Sequence, residues 1–390
     1  MSETTENNLS FLDKVKNSFT KYSMYYILIA IIVFFEITTG GVLLQPLNIT
    51  NIILQNSYIL ILAIGMLLCI ILGHVDLSVG AIAAFTGGIS ALLSIQAGLP
   101  TIVTVVLSLL VGLAIGAFNG FWIAYVKVPA FIATLASQLI FRGLTIIILD
   151  GKTLAPFPNS FRLMGSGFLP DFLNNSAFHG TTLILGGLLA LFVFYKSYKD
   201  SQELRKEDTS FSLWAKAIVT VALVAWFTFS MSRYEGFPNV FILLIILIAI
   251  YSFITQRTTI GRRIYATGGK EEAARLSGVN TDRVTFLAFT NMGFLAAVAG
   301  LIFTARLNAA TPTAGEGFEL DAIAACYIGG ASAYGGSGTI TGAIIGGLVM
   351  GILNNGMSLM GIGADWQQAI KGAVLLLAVA FDVYNRRKKA

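Results

Sequence analysis

Few side chains in this sequence are suited to bond-making chemistry. His74 and His179 are its only histidines, and Cys69 and Cys326 its only cysteines. An imidazole proton relay needs more members than these two, so His74, in the run GHVDLSVG, reads as a polar turn residue and His179 as part of a loop. Both cysteines lie in apolar stretches, where a thiol behaves as a small hydrophobe rather than as half of a disulfide or metal site. No His/Asp/Glu cluster has metal-ligand or nucleophile spacing. A phosphate-binding G-x-x-x-x-G-K-[ST] loop is missing too, because Gly268-Gly269-Lys270 is followed by Glu271 and lacks the earlier glycine. The expectation is a chain without cofactor or metal that is not an enzyme. What remains is charge and hydrogen bonding placed within apolar sequence.

The elements that must position those groups are transmembrane helices. With 56% hydrophobic residues, 12% charged residues and a mean hydropathy of +0.79, the chain carries more apolar surface than one water-soluble core could hide. Forty glycines against eight prolines suit close helix packing in lipid. At about 1.5 Å per residue, a hydrocarbon core of about 30 Å needs about 20 apolar residues. Cutting at polar and turn-rich clusters gives twelve spans: 25–44, 52–72, 77–95, 101–126, 130–149, 181–195, 217–231, 240–254, 285–305, 320–334, 340–360 and 366–383. Several are short, and 320–334 reads as a broken or tilted helix or a full one. Segment 25–44 is too long for a signal-peptide core, so it reads as the first span.

The net charge of +5 matters through its distribution rather than as a hint of nucleic acid. Lys14, Lys16 and Lys21 precede the first span, and Arg386, Arg387, Lys388 and Lys389 end the chain, so both termini read as cytoplasmic. Alternation then places Lys127, 196–216 and 257–283 inside, and the base-poor loops 96–100, 150–180 and 233–239 outside. The chain divides into a cytoplasmic segment 1–24, one transmembrane unit 25–385 and a basic tail 386–390.

Two pairs of matched runs recur in the same order. AIAAFTGGISA at 81–91 parallels AIAACYIGGASA at 322–333, and GLAIGAFNG at 112–120 parallels GLVMGILNNG at 347–356. They define halves 52–149 and 285–383, which lie seven spans apart and so run in opposite directions, the inverted repeat of many transporters. Between them, 257–283 is a cytoplasmic loop in which Lys270 to Leu276 favours a short amphipathic helix, entered flexibly through Gly268 and Gly269 and capped by Gly278. Ala273, Ala274 and Leu276 among Arg262, Arg263, Glu271, Glu272 and Arg275 give an apolar centre with a charged rim. The bland alternative is a solvated loop; the functional one is a docking element for a soluble partner.

Together, that loop, GHVDLSVG at 73–80, ATLASQLIFRG at 133–143 and ELDAIAACYIGGASAYGGSGTITGAIIG at 319–346 resemble the permease of a bacterial ABC sugar importer, over nearly the whole chain from residue 52. The family includes ribose, galactoside, xylose and multiple-monosaccharide permeases, and the likeness is greatest to the xylose or multiple-monosaccharide branch. The resemblance implies an all-α polytopic inner-membrane protein with a ten-helix core. Region 198–231 then reads as an insertion that raises the count to twelve. It also implies a permease dimer, separate ATPase subunits and a periplasmic or lipid-anchored sugar-binding protein that selects the cargo.

Sugar passage would draw on Asp76, Ser78, Asn119, Asn354 and Asn355, with Gln138 and Gln55 the weaker amides. Each also has a bland role: Asp76 as a cap for the next helix, the amides as stitches between helices. Arg142 reads as a lock on a carboxylate or carbonyls, Lys371 as a snorkelling cation or a partner of Asp365 or Asp382, and Glu36 as a residue facing a neighbour. An ion-coupled secondary transporter would need buried carboxylates as a relay, and only Glu36 and Asp76 read as lying away from membrane edges. Other cargo within the family, such as ribose, an autoinducer or nucleosides, is the remaining alternative.

Overall fold

The computed structural model describes residues 23–173, 178–203 and 210–387. The lysines at 14, 16 and 21, most of the 196–216 loop and the tail 386–390 lie outside the residues whose side chains are described. Fifteen helices make up the described chain, with no strand beyond two isolated bridges. In order they are α1 (Ser23–Thr38), α2 (Pro46–Ile71), α3 (Val79–Ala91, continued by a π-helical turn Leu92–Gln96), α4 (Thr101–Ala124) and α5 (Ala130–Ile148). Then come α6 (Asn159–Ser166), α7 (Gly180–Glu203), α8 (Ser210–Ser232), α9 (Asn239–Arg257), α10 (Thr259–Gly269) and α11 (Glu271–Leu276). The last four are α12 (Thr281–Leu307), α13 (Phe318–Ile328), α14 (Ile340–Leu359) and α15 (Ala364–Arg387).

Each expected span coincides with a helix, but the helices are not equals. Seven are long and apolar enough to cross a membrane: α2, α3 with its π turn, α4, α5, α9, α12 and α14. The others are shorter apolar stretches or carry charge, as α15 does with Asp365 and Lys371. The expected span 320–334 resolves as a broken helix. Its eleven-residue α13 reaches about 16 Å, half a bilayer core, and Gly330 at φ +83° turns the chain into a loop before α14.

The core is built on α2 and α12, which run antiparallel, Tyr58 meeting Phe303 and Gly65 meeting Met292, and touch along much of their length. Their most apolar windows are 78% and 61% buried, against 17% for α5 and 28% for α4 and α9, whose outer faces are left for lipid. α12 packs on α3 and α4, whereas α2 packs on α13 and α14, so each central helix seats chiefly on elements from the other half of the chain. Small residues permit the approach: a Cβ on Gly116 of α4 would lie 2.6 Å from the carbonyl oxygen of Phe289 on α12. α7 and α8 pack mainly on one another, with α8 also touching α2.

Among the described residues, loops that the charge pattern groups together meet at the same end of the bundle. Lys127, between α4 and α5, forms an ion pair with Asp282 at the start of α12, joining the 127 turn to the 257–283 loop. At the opposite end, Leu154 pairs with Ala310, the Leu169 amide donates to Phe237 and the Asn239 amide to Gly167.

Candidate coupling site and buried polar groups

The 257–283 loop folds as two helices rather than one. Thr258 caps α10 by accepting from the Gly261 amide, and a break at Lys270 starts α11. Gly278, at φ +84°, closes α11 as expected, its amide donating to Arg275. Gly268 and Gly269 are not a flexible entry, because both belong to the last turn of α10. A Cβ on Gly268 would sit 1.7 Å from the Ile71 carbonyl oxygen, whereas one on Gly269 would meet nothing. Gly336 donates its amide to that same Ile71 carbonyl (2.8 Å), and the Tyr265 hydroxyl donates to Gly338 (2.6 Å). α10 is thus clamped by backbone contacts to two chain breaks, the one after α2 that leads to Asp76 and the one between α13 and α14.

The charged residues expected for a rim face outward, but so does Leu276, which was expected at the apolar centre. Arg262, Arg263, Glu272 and Leu276 are exposed, Leu276 to 90%, while Ala274 is buried. Glu271 is spent on Arg275 (3.1 Å) and the Thr281 hydroxyl.

Inside the bundle, the expected polar residues separate into distinct knots. Asp76 accepts from both the amide (2.8 Å) and the hydroxyl (2.6 Å) of Ser78, and Asn119 of α4 donates to that hydroxyl (2.9 Å). All three are buried, and Asp76 Oδ2 and Asn119 Oδ1 have no partner among the described residues. The turn therefore makes Asp76 a bond acceptor for the start of α3, through Ser78 alone rather than Ser78 and Val79. Asn355 of α14 exchanges two bonds with Asn48 of α2 (2.9 and 3.0 Å), and the neighbouring Asn354 leaves its Oδ1 buried and unpartnered. Asn355→Leu, which removes both bonds, is expected to cost about 0.6–2 kcal/mol in a thermal melt of the detergent-solubilised chain; no change would show the pair to be energetically silent.

The charges find partners unlike those expected for some of them. Arg142 of α5 donates to the carbonyls of Pro312 (3.1 Å) and Ala314 (2.5 Å), locking the loop whose Gly315 lies back to back with Gly80 of α3. Lys371 of α15 pairs not with Asp365 of its own helix but with Asp321 of α13 (3.0 Å), which also accepts from the Tyr58 hydroxyl (3.2 Å). The Asp382 side chain lies outside the described residues. Glu36 accepts from the Leu44 amide and so closes its own loop rather than facing a neighbour. Gln138 reaches Glu319 at 3.4 Å. Sequence reasoning took only Glu36 and Asp76 as acids away from the membrane edges, yet Glu319 and Asp321 are both buried. The short α13 carries its N-terminus, and with it both acids, into the packed interior. Their appearance in its first turn, where the helix dipole favours anions, was the available signal. Tyr58 and Asn48 were also missed, and nothing distinguishes them in sequence from other polar residues of an apolar helix.

The xylose transport system permease protein of Haemophilus influenzae is 40% identical over 372 residues, 94% of this chain and 97% of that protein. Its counterpart in Escherichia coli is also 40% identical, over 94% of this chain and 92% of its own. The ribose import permease protein of Haemophilus influenzae is 36% identical over 343 residues, 88% of this chain and 87% of the relative. No solved structure matches. Residues 48–379, from the middle of the first turn of α2 into α15, match one transporter family, and the chain accordingly belongs to the family of permease components of the branched-chain amino acid transport system.

Proposed function

We propose that this chain is the membrane-spanning subunit of an ATP-binding-cassette importer that brings xylose or a related monosaccharide into the cell, with both termini in the cytoplasm. The observation that carries this reading is likeness to xylose transport permeases over 94% of the chain, with the 257–283 loop clamped on two chain breaks. Separate ATPase subunits would dock on α10 and α11, a sugar-binding protein would deliver cargo at the opposite end, and a second copy would complete the pathway. The exchange of packing partners between α2 and α12 supports two inverted halves, and the mutual packing of α7 and α8 supports an inserted pair around 198–231. Nucleotide and binding protein must each favour a different state, since a ligand shifts an equilibrium only by its differential affinity.

A second reading, ion-coupled transport, gains from buried Glu319 and Asp321. Against it, Asp321 is already neutralised by Lys371, which suits a structural charge pair better than a proton carrier. Proteoliposomes separate the two. With ATPase and binding protein present, xylose should stimulate ATP hydrolysis and accumulate, insensitive to ionophore. Accumulation at full rate by the chain without an ATPase would overturn the proposal.

A further inference from the structure

At the end of the bundle that carries α10 and α11, a cavity of about 560 Å³ opens between α9, α10 and α12. Its mouth carries Arg263, Arg283 and Asn280, and its walls narrow to Leu68 and Ala288. The depth along α12 from Arg283 to Asn291 is eight residues, about 12 Å. Ile260 and Leu287 line it and are about half exposed, so its apolar wall continues onto the outer surface of the bundle.

The polar groups point to the class of occupant. The carboxylates near the mouth are already engaged, Asp282 by Lys127 and Glu271 by Arg275, while neither Arg263 nor Arg283 enters an ion pair among the described residues. Two guanidiniums at a membrane boundary with no anion of their own are matched by a phosphodiester. Farther in, the Asn291 side-chain Oδ1 accepts from the Tyr251 hydroxyl, and its Nδ2 is buried without a partner among the described residues, a donor suited to an ester carbonyl. Deeper still the walls are aliphatic. A second cavity at the far end of the bundle, about 580 Å³ between α4, α6, α9 and α12, is lined almost wholly by apolar side chains and has no cation, so size alone does not mark the first.

We propose that this cavity is a binding site for one anionic phospholipid of the adjacent leaflet, its phosphate held by Arg263 and Arg283 and an acyl chain lying along α12. The site stands on geometry alone and does not depend on which cargo the chain carries or on what drives it. Because Arg263 and Ile264 belong to α10, an occupant would brace the helix that is clamped to Ile71.

Native mass spectrometry of the purified full chain tests it, using phosphatidylglycerol and phosphatidylcholine with the same acyl chains. Phosphatidylglycerol is expected to bind about thirty-fold more tightly, and the preference to vanish in Arg263→Gln/Arg283→Gln. Both arginines are exposed, so the fold should survive, which a melting curve checks. Leu287→Trp, which fills the groove and spares both arginines, should weaken the lipid but not inorganic phosphate, distinguishing a lipid from a free anion. Equal affinity for the two lipids, an undiminished preference in the double variant, or competition by inorganic phosphate alone would overturn the proposal. So would a change of oligomeric state in the double variant without any lipid preference, which would assign the groove to a second copy.

Discussion

Gly268→Val should cut sugar uptake by the reconstituted importer about ten- to hundred-fold, whereas Gly269→Ala, one residue on, should leave it near wild type. The contrast follows from space. The first Cβ would overlap the Ile71 carbonyl at 1.7 Å, and the second would meet nothing within 4 Å. A backbone carbonyl that already accepts from Gly336 cannot rotate away, so the helix must lift. Overpacking of this kind costs about 1–3 kcal/mol, and 1.4 kcal/mol is tenfold in an equilibrium. The loss should fall on coupling: unstimulated ATP hydrolysis by the complex persists while the sugar-stimulated part disappears. Gly269→Ala, by contrast, replaces a poor helix former with the best one, a gain of up to about 1 kcal/mol. Wild-type uptake by Gly268→Val would show that the close contact between α10 and Ile71 carries no force.

Lys371→Met is expected to remove about 3–5 kcal/mol of stability, the cost of stranding a buried charge. Asp321 is only 2% exposed, and its second partner, Tyr58, is a neutral hydroxyl that cannot replace an ammonium. Lys371→Met combined with Asp321→Asn should recover most of the loss, because removing both charges leaves no uncompensated ion. Thermal unfolding of the four chains in detergent reads the cycle directly. Equal loss in the single and double variants would mean that Lys371 acts through packing rather than through its charge.

Helix existence was legible in the sequence because lipid demands long apolar runs, and these survive crude cutting at polar clusters. That the 127 turn and the 257–283 loop share an end was legible for a related reason, since both carry the bases of their region, and Lys127 does meet Asp282 at the start of α12. Two kinds of feature were not. Partners depend on contacts distant in sequence: Asp321 and Lys371 are joined only because α15 folds back along α13, and a local search turned instead to Asp365 and Asp382. Glycine roles were obscured as well, because a glycine beside a helix reads equally as a hinge and as a seat for another backbone. Gly268 proved to be the seat. The polar candidates were recognisable as residues but not as groups, since Asp76, Ser78 and Asn119 come together only when α4 lies against the turn before α3.

The crossed seating of the two central helices has a consequence for biogenesis. α2 leaves the ribosome early, yet the surfaces that cover it, on α12, α13 and α14, belong to the last third of the chain. At about 5–20 residues per second, tens of seconds separate its synthesis from theirs. During that interval its buried asparagines, Asn48 and Asn56, have no permanent home and must be sheltered by lipid headgroups or by the insertion machinery. A chain arrested after α9 would therefore leave α2 without the helices that cover it.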